Sequence, residues 1–339
     1  MKSILLAGYH NPRYPTITEY VEKAVRESGF GLTSFDDRSY GVPGFLRSAW
    51  KKIDNAALSA MNERFCRLAE ASRPDLCIVT GGHRISPRSI ERIKSYGIKT
   101  VLWTIDAPSA DFEYIIAAAR VYDKVFCGGT EAVKILERAG VKNPAWLPFA
   151  CSPDDHKPAP LDDKEKKTLS RDVVFVGTVN PLIYPFRSAV LESIADYNLG
   201  VWGPGVRRIP SSYALRSRIV AEHTPPSVWT KIYSAAKIVL CMHYADPAGG
   251  FPCRQASPRV YEALACGAFV LCDAQPDAAA LFSDGEHLVY FKNPYDLRVK
   301  LDYYLAHPDD RLRIASAGRK LALAEHTYLR RLETILRTY

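Results

Sequence analysis

Residues 257–273 read Ser-Pro-Arg-Val-Tyr-Glu-Ala-Leu-Ala-Cys-Gly-Ala-Phe-Val-Leu-Cys-Asp, the pattern of a helix that leads into a buried strand. Ser257 is a typical N-cap, whose hydroxyl can accept a hydrogen bond from a free backbone N–H of the first turn. Pro258 suits the first helical position, and Gly267 suits the position just past the helix end, where φ is positive. The apolar run that closes at Asp273 then predicts a buried strand.

The first turn of this helix carries two charged residues, Arg259 and Glu262, three positions apart and therefore on one face. The helix N-terminus attracts anions, and an arginine beside it adds donors in a fork that suits phosphate. Glu262 could then accept the hydroxyls of a sugar next to that phosphate. The alternative is a buried helix with an internal Arg–Glu pair, and spacing alone leaves both interpretations open.

Apolar runs of strand length alternate with helical patterns along the whole chain, which predicts an α/β protein with parallel sheets covered on both faces. Residues 152–171 are rich in proline and charge and have the composition of a linker. We therefore expect two domains, residues 1–158 and 168–323, followed by a tail helix over 324–339.

Ligands of parallel sheets bind beyond the carboxyl ends of the strands, so the polar residues at those ends are site candidates. In the first half they are His10, His83 and Asp106. A carboxylate in a partly desolvated site becomes a better base, which makes Asp106 the first candidate for catalysis, His83 the second and His10 the third. Asp106 could instead cap a helix over 109–120, and His83 could bind a sugar hydroxyl.

Composition excludes several classes of protein. No apolar run reaches the roughly 18 residues that span a bilayer, and no G-x-G-x-x-G dinucleotide motif is present. The eight cysteines form no C-x-x-C pair, which predicts a reducing, cytoplasmic setting without disulfides or a structural zinc site. The net charge of +8 favours an anionic partner: a nucleotide first, and beyond it a peripheral contact with a membrane surface or nucleic acid.

Four stretches together resemble the spore-maturation (CgeB-like) glycosyltransferases of the family-one clan. Arg259-Val260-Tyr261-Glu262-Ala263-Leu264-Ala265-Cys266-Gly267 is similar to their R-x-x-E-A-L-A-C-G stretch. The others are Val174-Phe175-Val176-Gly177-Thr178, Trp103-Thr104-Ile105-Asp106-Ala107-Pro108 and Ala324-Glu325-His326-Thr327-Tyr328. The resemblance implies the GT-B fold, in which two Rossmann-like domains flank a cleft and a C-terminal helix, here 324–339, crosses back to the first domain. It also implies the transfer of a sugar from a nucleotide diphosphate sugar such as a UDP-sugar.

The resemblance also implies a donor held by the second domain, an acceptor held by the first, and no separate cofactor. Glu262 would contact the ribose, whereas the acidic residue that often stands eight positions earlier is here Arg254. No D-x-D occurs, so we expect no metal and a diphosphate neutralised by arginines. The predicted donor site comprises Gly177, Thr178, Arg187, Gly203, His243, Ser257, Arg259 and Glu262. A sugar-nucleotide epimerase of the same fold and a non-catalytic binding protein are the alternatives.

Overall fold

The computed structural model describes residues 2–108 and 112–339. The chain forms two compact units: Met1–Pro148 together with Tyr328–Tyr339, and Phe149–Thr327. Each unit contains one six-stranded sheet whose neighbouring strands all run parallel. The predicted α/β class with two Rossmann-like halves is confirmed.

The first unit has the strand order β2-β1-β3-β4-β5-β6. Its strands are β1 (Ser3–Gly8), β2 (Gly31–Asp36), β3 (Leu76–Thr80), β4 (Lys99–Thr104), β5 (Lys124–Cys127) and β6 (Ala145–Trp146). Its helices are α1 (Ile17–Glu27), α2 (Gly44–Ala49), α3 (Lys51–Ser72), α4 (Pro87–Ser95), α5 (Phe112–Ala119) and α6 (Thr130–Arg138). The start of the helix predicted over 109–120 falls on residues 109–111, which lie outside the described residues.

The last helix, α14 (Tyr328–Leu336), belongs to this first unit and packs against α1. The rings of Tyr20 and Tyr328 stack with centroids 5.5 Å apart, and the Arg331 Nε donates to the carbonyl of Pro148 at 2.8 Å. The C-terminal segment is therefore held by both aromatic packing and a buried hydrogen bond.

The second unit has the strand order β12-β11-β10-β7-β8-β9. Its strands are β7 (Val173–Val176), β8 (Leu199–Trp202), β9 (Ile219–Ala221), β10 (Ile238–Cys241), β11 (Val270–Asp273) and β12 (Val289–Phe291). Its helices are α7 (Asp163–Leu169), α8 (Pro185–Ser193), α9 (Pro226–Ala235), α10 (Pro258–Ala265), α11 (Pro276–Ala279), α12 (Pro294–Ala306) and α13 (Pro308–Glu325), with 3-10 turns at Val206–Arg208 and Ala214–Arg218.

The predicted linker over 152–171 is wrong in one respect, because it contains helix α7. Asp162 and Glu165 form a capping box there: each side chain accepts a hydrogen bond from the other residue's backbone N–H. The helix is polar, so it has no apolar periodicity by which sequence could reveal it.

The described residues include no helix long and apolar enough to cross a bilayer. All eight cysteines are free thiols, and all but Cys253 are buried as small core residues. The prediction that the chain has no disulfides is confirmed.

Candidate active site

Helix α10 has the ends that its sequence predicts, with one difference. Ser257 is the N-cap, Pro258 occupies the first helical position, and Gly267 has φ +75° just past the end. However, the Ser257 hydroxyl makes no capping hydrogen bond; its backbone carbonyl accepts from the N–H of Val260 at 3.1 Å instead. The prediction of a side-chain cap at Ser257 is therefore wrong.

Arg259 and Glu262 share the first turns of α10 without pairing with each other. Within the described chain, no hydrogen bond or ion pair reaches either charged group, and the Arg259 Nε and Glu262 Oε2 are both buried. The guanidinium of Arg259 lies over the Trp229 ring, 5.6 Å from its centroid. Buried polar atoms that lack partners are costly, and the two side chains do not pair, so an internal Arg–Glu pair does not explain these residues.

Tyr233 of α9 adds a third buried polar group to this neighbourhood. Its hydroxyl has no partner among the described residues. Burial, reinforced by the charge of Glu262, raises the pKa of Tyr233 well above its ordinary value. The phenol is therefore a neutral group that can donate a hydrogen bond beside a carboxylate. Sequence reasoning missed Tyr233, since a tyrosine in an amphipathic helix is normally part of the core.

The loops after β7 and β8 meet closely beside Arg259. Gly177 N donates to the carbonyl of Trp202, and Val179 N to that of Pro204. A Cβ at Gly203 would lie 1.9 Å from the Gly177 carbonyl oxygen, so only glycine fits there. A Cβ at Gly177 would lie 3.6 Å from the Arg259 Nε. Two predicted donor-site residues, Gly177 and Arg259, are thus neighbours, and Gly203 supports the first of them.

Arg187 is buried beneath these loops. Its Nη1 donates to the Thr178 carbonyl at 2.9 Å, and its Nη2 to the Met242 carbonyl at 3.1 Å. The guanidinium stacks on the Tyr184 ring at 3.9 Å. Burial, together with the positive charge of Arg259, lowers the pKa of Arg187 to about 10. We therefore revise its predicted role: Arg187 holds the loop of Thr178 in place rather than contacting phosphate directly.

His243 follows β10, and its side chain is fully buried. Both its Nδ1 and its backbone N–H contact Asp273 Oδ1, at 2.7 and 2.9 Å. The burial and the bond to Asp273 turn His243 away from a ligand, so we revise its role from sugar contact to support of the loop. With Cys272 the two residues form a group whose ligand atoms lie within 4.8 Å of one another, a geometry that a metal ion could use. Burial raises the pKa of the Cys272 thiol well above its ordinary value.

In the first unit, the predicted catalytic residues follow neighbouring strands. His83 comes after β3 and Asp106 after β4, and the His83 Nε2 lies 3.2 Å from Asp106 Oδ2. His83 is half-buried and Asp106 is exposed, so the pair is open to solvent on one side. A histidine oriented by a carboxylate is an arrangement suited to proton transfer.

His10, after β1, is held differently. Its Nε2 lies 2.7 Å from Glu22 Oε1, and its Nδ1 lies 3.2 Å from the Gly8 carbonyl. The hydrogen bond to Glu22 raises the pKa of His10 above its ordinary value. Both ring nitrogens are engaged, so His10 is less suited than His83 to accept a proton.

The same edge of the first sheet carries a carboxylate that sequence reasoning missed. Asp37 follows β2, is 5% exposed, and its Oδ1 has no partner among the described residues. Burial raises the pKa of Asp37 to about 6. The pair Asp36-Asp37 after a strand was the available signal, but two acids in a loop are common on protein surfaces.

Comparison with known proteins finds similar sequences and similar folds. Residues 186–337 match the family described as Glycosyl transferase-like. The spore protein CgeB of Bacillus subtilis is 22% identical over 275 residues, covering 76% of this chain and 81% of that protein. The sucrose-phosphate synthase of Thermosynechococcus elongatus superposes with a TM-score of 0.72 at 13% identity, covering 100% of this chain and 99% of the other. The chain is therefore similar to CgeB, and its residues 186–337 match a glycosyltransferase family.

A further protein of similar fold was solved with a ligand. The Anabaena protein Alr3699/HepE, in complex with UDP-glucose, superposes with a TM-score of 0.65 at 11% identity, covering 100% of this chain and 99% of that one. The match of the Glycosyl transferase-like family to 186–337 includes α10 and therefore Arg259 and Glu262. The resemblance seen in the sequence of that helix is confirmed.

Proposed function

We propose that this glycosyltransferase binds a nucleoside diphosphate sugar, with UDP-sugars as the first choice, and transfers the sugar to a hydroxyl of an acceptor without a metal ion. The observation that carries the donor assignment is that the Arg259 Nε and the Glu262 Oε2, on one helix, are both buried without a partner among the described residues. Groups of this kind are costly unless a ligand completes them. The complex of HepE with UDP-glucose supports the choice of UDP.

In this proposal Arg259 neutralises the diphosphate as the bond from the anomeric carbon to the phosphate oxygen breaks. Glu262 accepts hydrogen bonds from the ribose hydroxyls, and Gly177 lets the donor approach the backbone. Arg187 and the His243–Asp273 pair hold the loops that carry these contacts. The chain has no D-x-D motif, which agrees with arginine rather than a metal as the counter-charge.

We assign the acceptor base to His83, oriented by Asp106. The acceptor hydroxyl loses its proton to the imidazole, its oxygen forms the new bond to the anomeric carbon, and the nucleoside diphosphate leaves with the bonding electron pair. Asp106 stabilises the imidazolium that results. General-base catalysis of this kind contributes about 10²–10⁴-fold to a rate. We further propose a cytoplasmic location, in keeping with the eight free thiols.

Calorimetric titration with UDP tests the donor site. Arg259→Met is expected to weaken binding about ten- to a hundredfold, because a charge-assisted hydrogen bond contributes roughly 1.5–3 kcal/mol. The matched control is Arg313→Met, an exposed arginine of α13 that should leave binding unchanged. Equal affinity of wild type and Arg259→Met would contradict the donor site.

A turnover assay tests the reaction itself. Release of UDP from UDP-sugars is measured with a panel of hydroxyl acceptors, with and without EDTA. We expect acceptor-dependent release that EDTA leaves unchanged. His83→Ala should lower kcat while UDP affinity stays at the wild-type value. Conversion of the donor to an isomeric nucleotide sugar without acceptor would instead show an epimerase.

A further inference from the structure

The segment between β2 and the middle of α3 exposes two large apolar side chains. Phe45 of α2 is 71% exposed and Trp50, at the junction of α2 and α3, is 56% exposed. No residue from 41 to 56 is buried, and α2 buries none of its side chains. An ordinary surface helix places its apolar face on the core. Here the large apolar groups point to solvent instead.

The charged residues between Asp37 and Asp54 in this segment are all positive. Residues 38–53 include Arg38, Arg47, Lys51 and Lys52 and contain no acidic residue. Lys51 and Lys52 are exposed and form no ion pair with the described residues. They follow directly after Trp50, so exposed aromatic and cationic groups share one surface.

Arg47 explains how the segment keeps its shape. Its guanidinium lies over the Tyr40 ring at 3.7 Å, and its Nη1 contacts Asp54 Oδ1 at 2.9 Å. This link ties α2 to the loop before it and to α3. Arg47 is thus turned inward, while Phe45, Trp50 and the two lysines are left outward on a fixed scaffold.

We propose that Phe45, Trp50, Lys51 and Lys52 form a docking surface for an anionic lipid bilayer. Trp and Phe insert at the level of the headgroups, where an aromatic ring meets both apolar and polar surroundings. The lysines contact anionic headgroups, whose surface potential attracts basic residues next to an inserted apolar face. Charge complementarity selects this occupant over a second copy of the chain, whose same surface would bring like charges together.

The other large apolar side chains of the surface differ in this respect. Tyr295 and Leu312 of the second unit are 78% and 69% exposed, and Asp296 adjoins the first. Leu312 lies between Arg311, whose Nη1 donates to the carbonyls of Tyr304 and Leu305, and Arg313, which pairs with Asp310. Unlike Lys51 and Lys52, these two arginines are engaged by the protein itself. Tyr295 and Leu312 therefore provide a matched control for the loss of exposed apolar area.

Co-sedimentation of the full chain with vesicles tests the proposal. Vesicles of phosphatidylcholine alone are compared with equimolar phosphatidylcholine and phosphatidylglycerol, at low and high NaCl. We expect binding to the anionic vesicles that weakens with salt. Phe45→Ser/Trp50→Ser should bind at least tenfold more weakly, and Tyr295→Ser/Leu312→Ser as wild type. Lys51→Gln/Lys52→Gln should lose about 25-fold, at about fivefold for each lysine.

Several outcomes would overturn the proposal. The membrane proposal is wrong if wild-type protein does not co-sediment with anionic vesicles. It is also wrong if Phe45→Ser/Trp50→Ser binds these vesicles as strongly as wild type. Sedimentation velocity without lipid provides the remaining check: a wild-type dimer that becomes monomeric in Phe45→Ser/Trp50→Ser would identify the surface as a self-association site. All six substituted side chains are exposed, so thermal unfolding of each variant should match wild type and a folding defect is separable from lost binding.

Discussion

Glu262→Met is expected to stabilise the protein without ligand and to weaken its response to UDP. The Glu262 carboxylate is 8% exposed, and its Oε2 has no partner among the described residues. A buried polar group without a partner costs about 1–3 kcal/mol, which a methionine of similar shape removes. For a unit of this size each kcal/mol raises Tm by about 2–4 °C. The expected rise follows directly from the missing partner.

The second half of the prediction concerns the ligand. UDP at a hundred times its dissociation constant adds about 2.7 kcal/mol to wild type. Loss of a charge-assisted contact to the ribose weakens binding about thirtyfold, so the same concentration adds only about 0.9 kcal/mol to the variant. Differential scanning calorimetry with and without UDP measures both quantities. The variant should have the higher Tm alone and the smaller gain with UDP.

Glu192→Met is the matched control in the same unit. The Glu192 carboxylate accepts hydrogen bonds from the backbone N–H groups of Ala214 and Leu215, at 3.0 and 2.9 Å. The same substitution there strands two donors, so Tm should fall and the gain with UDP should stay at the wild-type value. Were Glu262→Met to behave like Glu192→Met, with lower Tm and an unchanged gain, Glu262 would be a structural residue and the donor assignment would fail.

Three further predictions concern groups whose environment the structure describes. Burial raises the pKa of Asp37 to about 6, so ionisation of this carboxyl opposes folding. Asp37→Asn should therefore add up to about 3 kcal/mol to the free energy of unfolding near pH 8 but nothing near pH 4. Urea unfolding measures this, and an equal gain at the two pH values would contradict the prediction. The hydrogen bond to Glu22 raises the pKa of His10, so the stability that protonated His10 contributes is present below about pH 6.5 and lost as pH rises through the raised pKa. His10→Gln should lower the free energy of unfolding by about 1 kcal/mol near pH 5.5 and by less above pH 8. A loss that is the same at both pH values would refute this prediction. Gly203→Ala places a Cβ 1.9 Å from the Gly177 carbonyl oxygen. It should lower stability by about 1–3 kcal/mol in thermal unfolding and weaken UDP binding. Unchanged Tm and UDP affinity would show that the loops after β7 and β8 are not closely packed.

The sequence predicted best those elements whose signals are local. Pro258 and Gly267 mark the ends of α10 because each satisfies a backbone requirement at its own position. Elements without such signals were missed. Strand β9, at Ile219–Ala221, is three residues long and lies at a sheet edge, and α7 is polar except for Leu169. Neither buries enough apolar surface to produce a periodic pattern.

The candidate site was predicted by type of residue rather than by role. Sequence placed His243 at a strand end, where ligands of parallel sheets bind, and Arg187 in the helix that follows the first strand of the second domain. It could not show that Arg187 donates to carbonyls of two different loops or that His243 pairs with Asp273, because those partners lie 9, 55 and 30 residues away. Whether a charged residue faces a ligand or supports the loop beside it depends on such distant partners.

The contacts of Arg254 explain why position 254 departs from the family pattern. In the clan that the sequence resembles, an acidic residue often stands at this position. With an arginine here, position 254 itself supplies no carboxylate to the proposed donor site. Here the Arg254 Nε lies 3.8 Å from Asp277 Oδ1, and its carbonyl accepts from the Asp277 N–H at 3.2 Å. Asp277 is 2% exposed, so a second carboxylate at 254 would face a buried like charge. The arginine is therefore the residue type that Asp277 requires, and the negative charge of this region comes from α11 rather than from position 254.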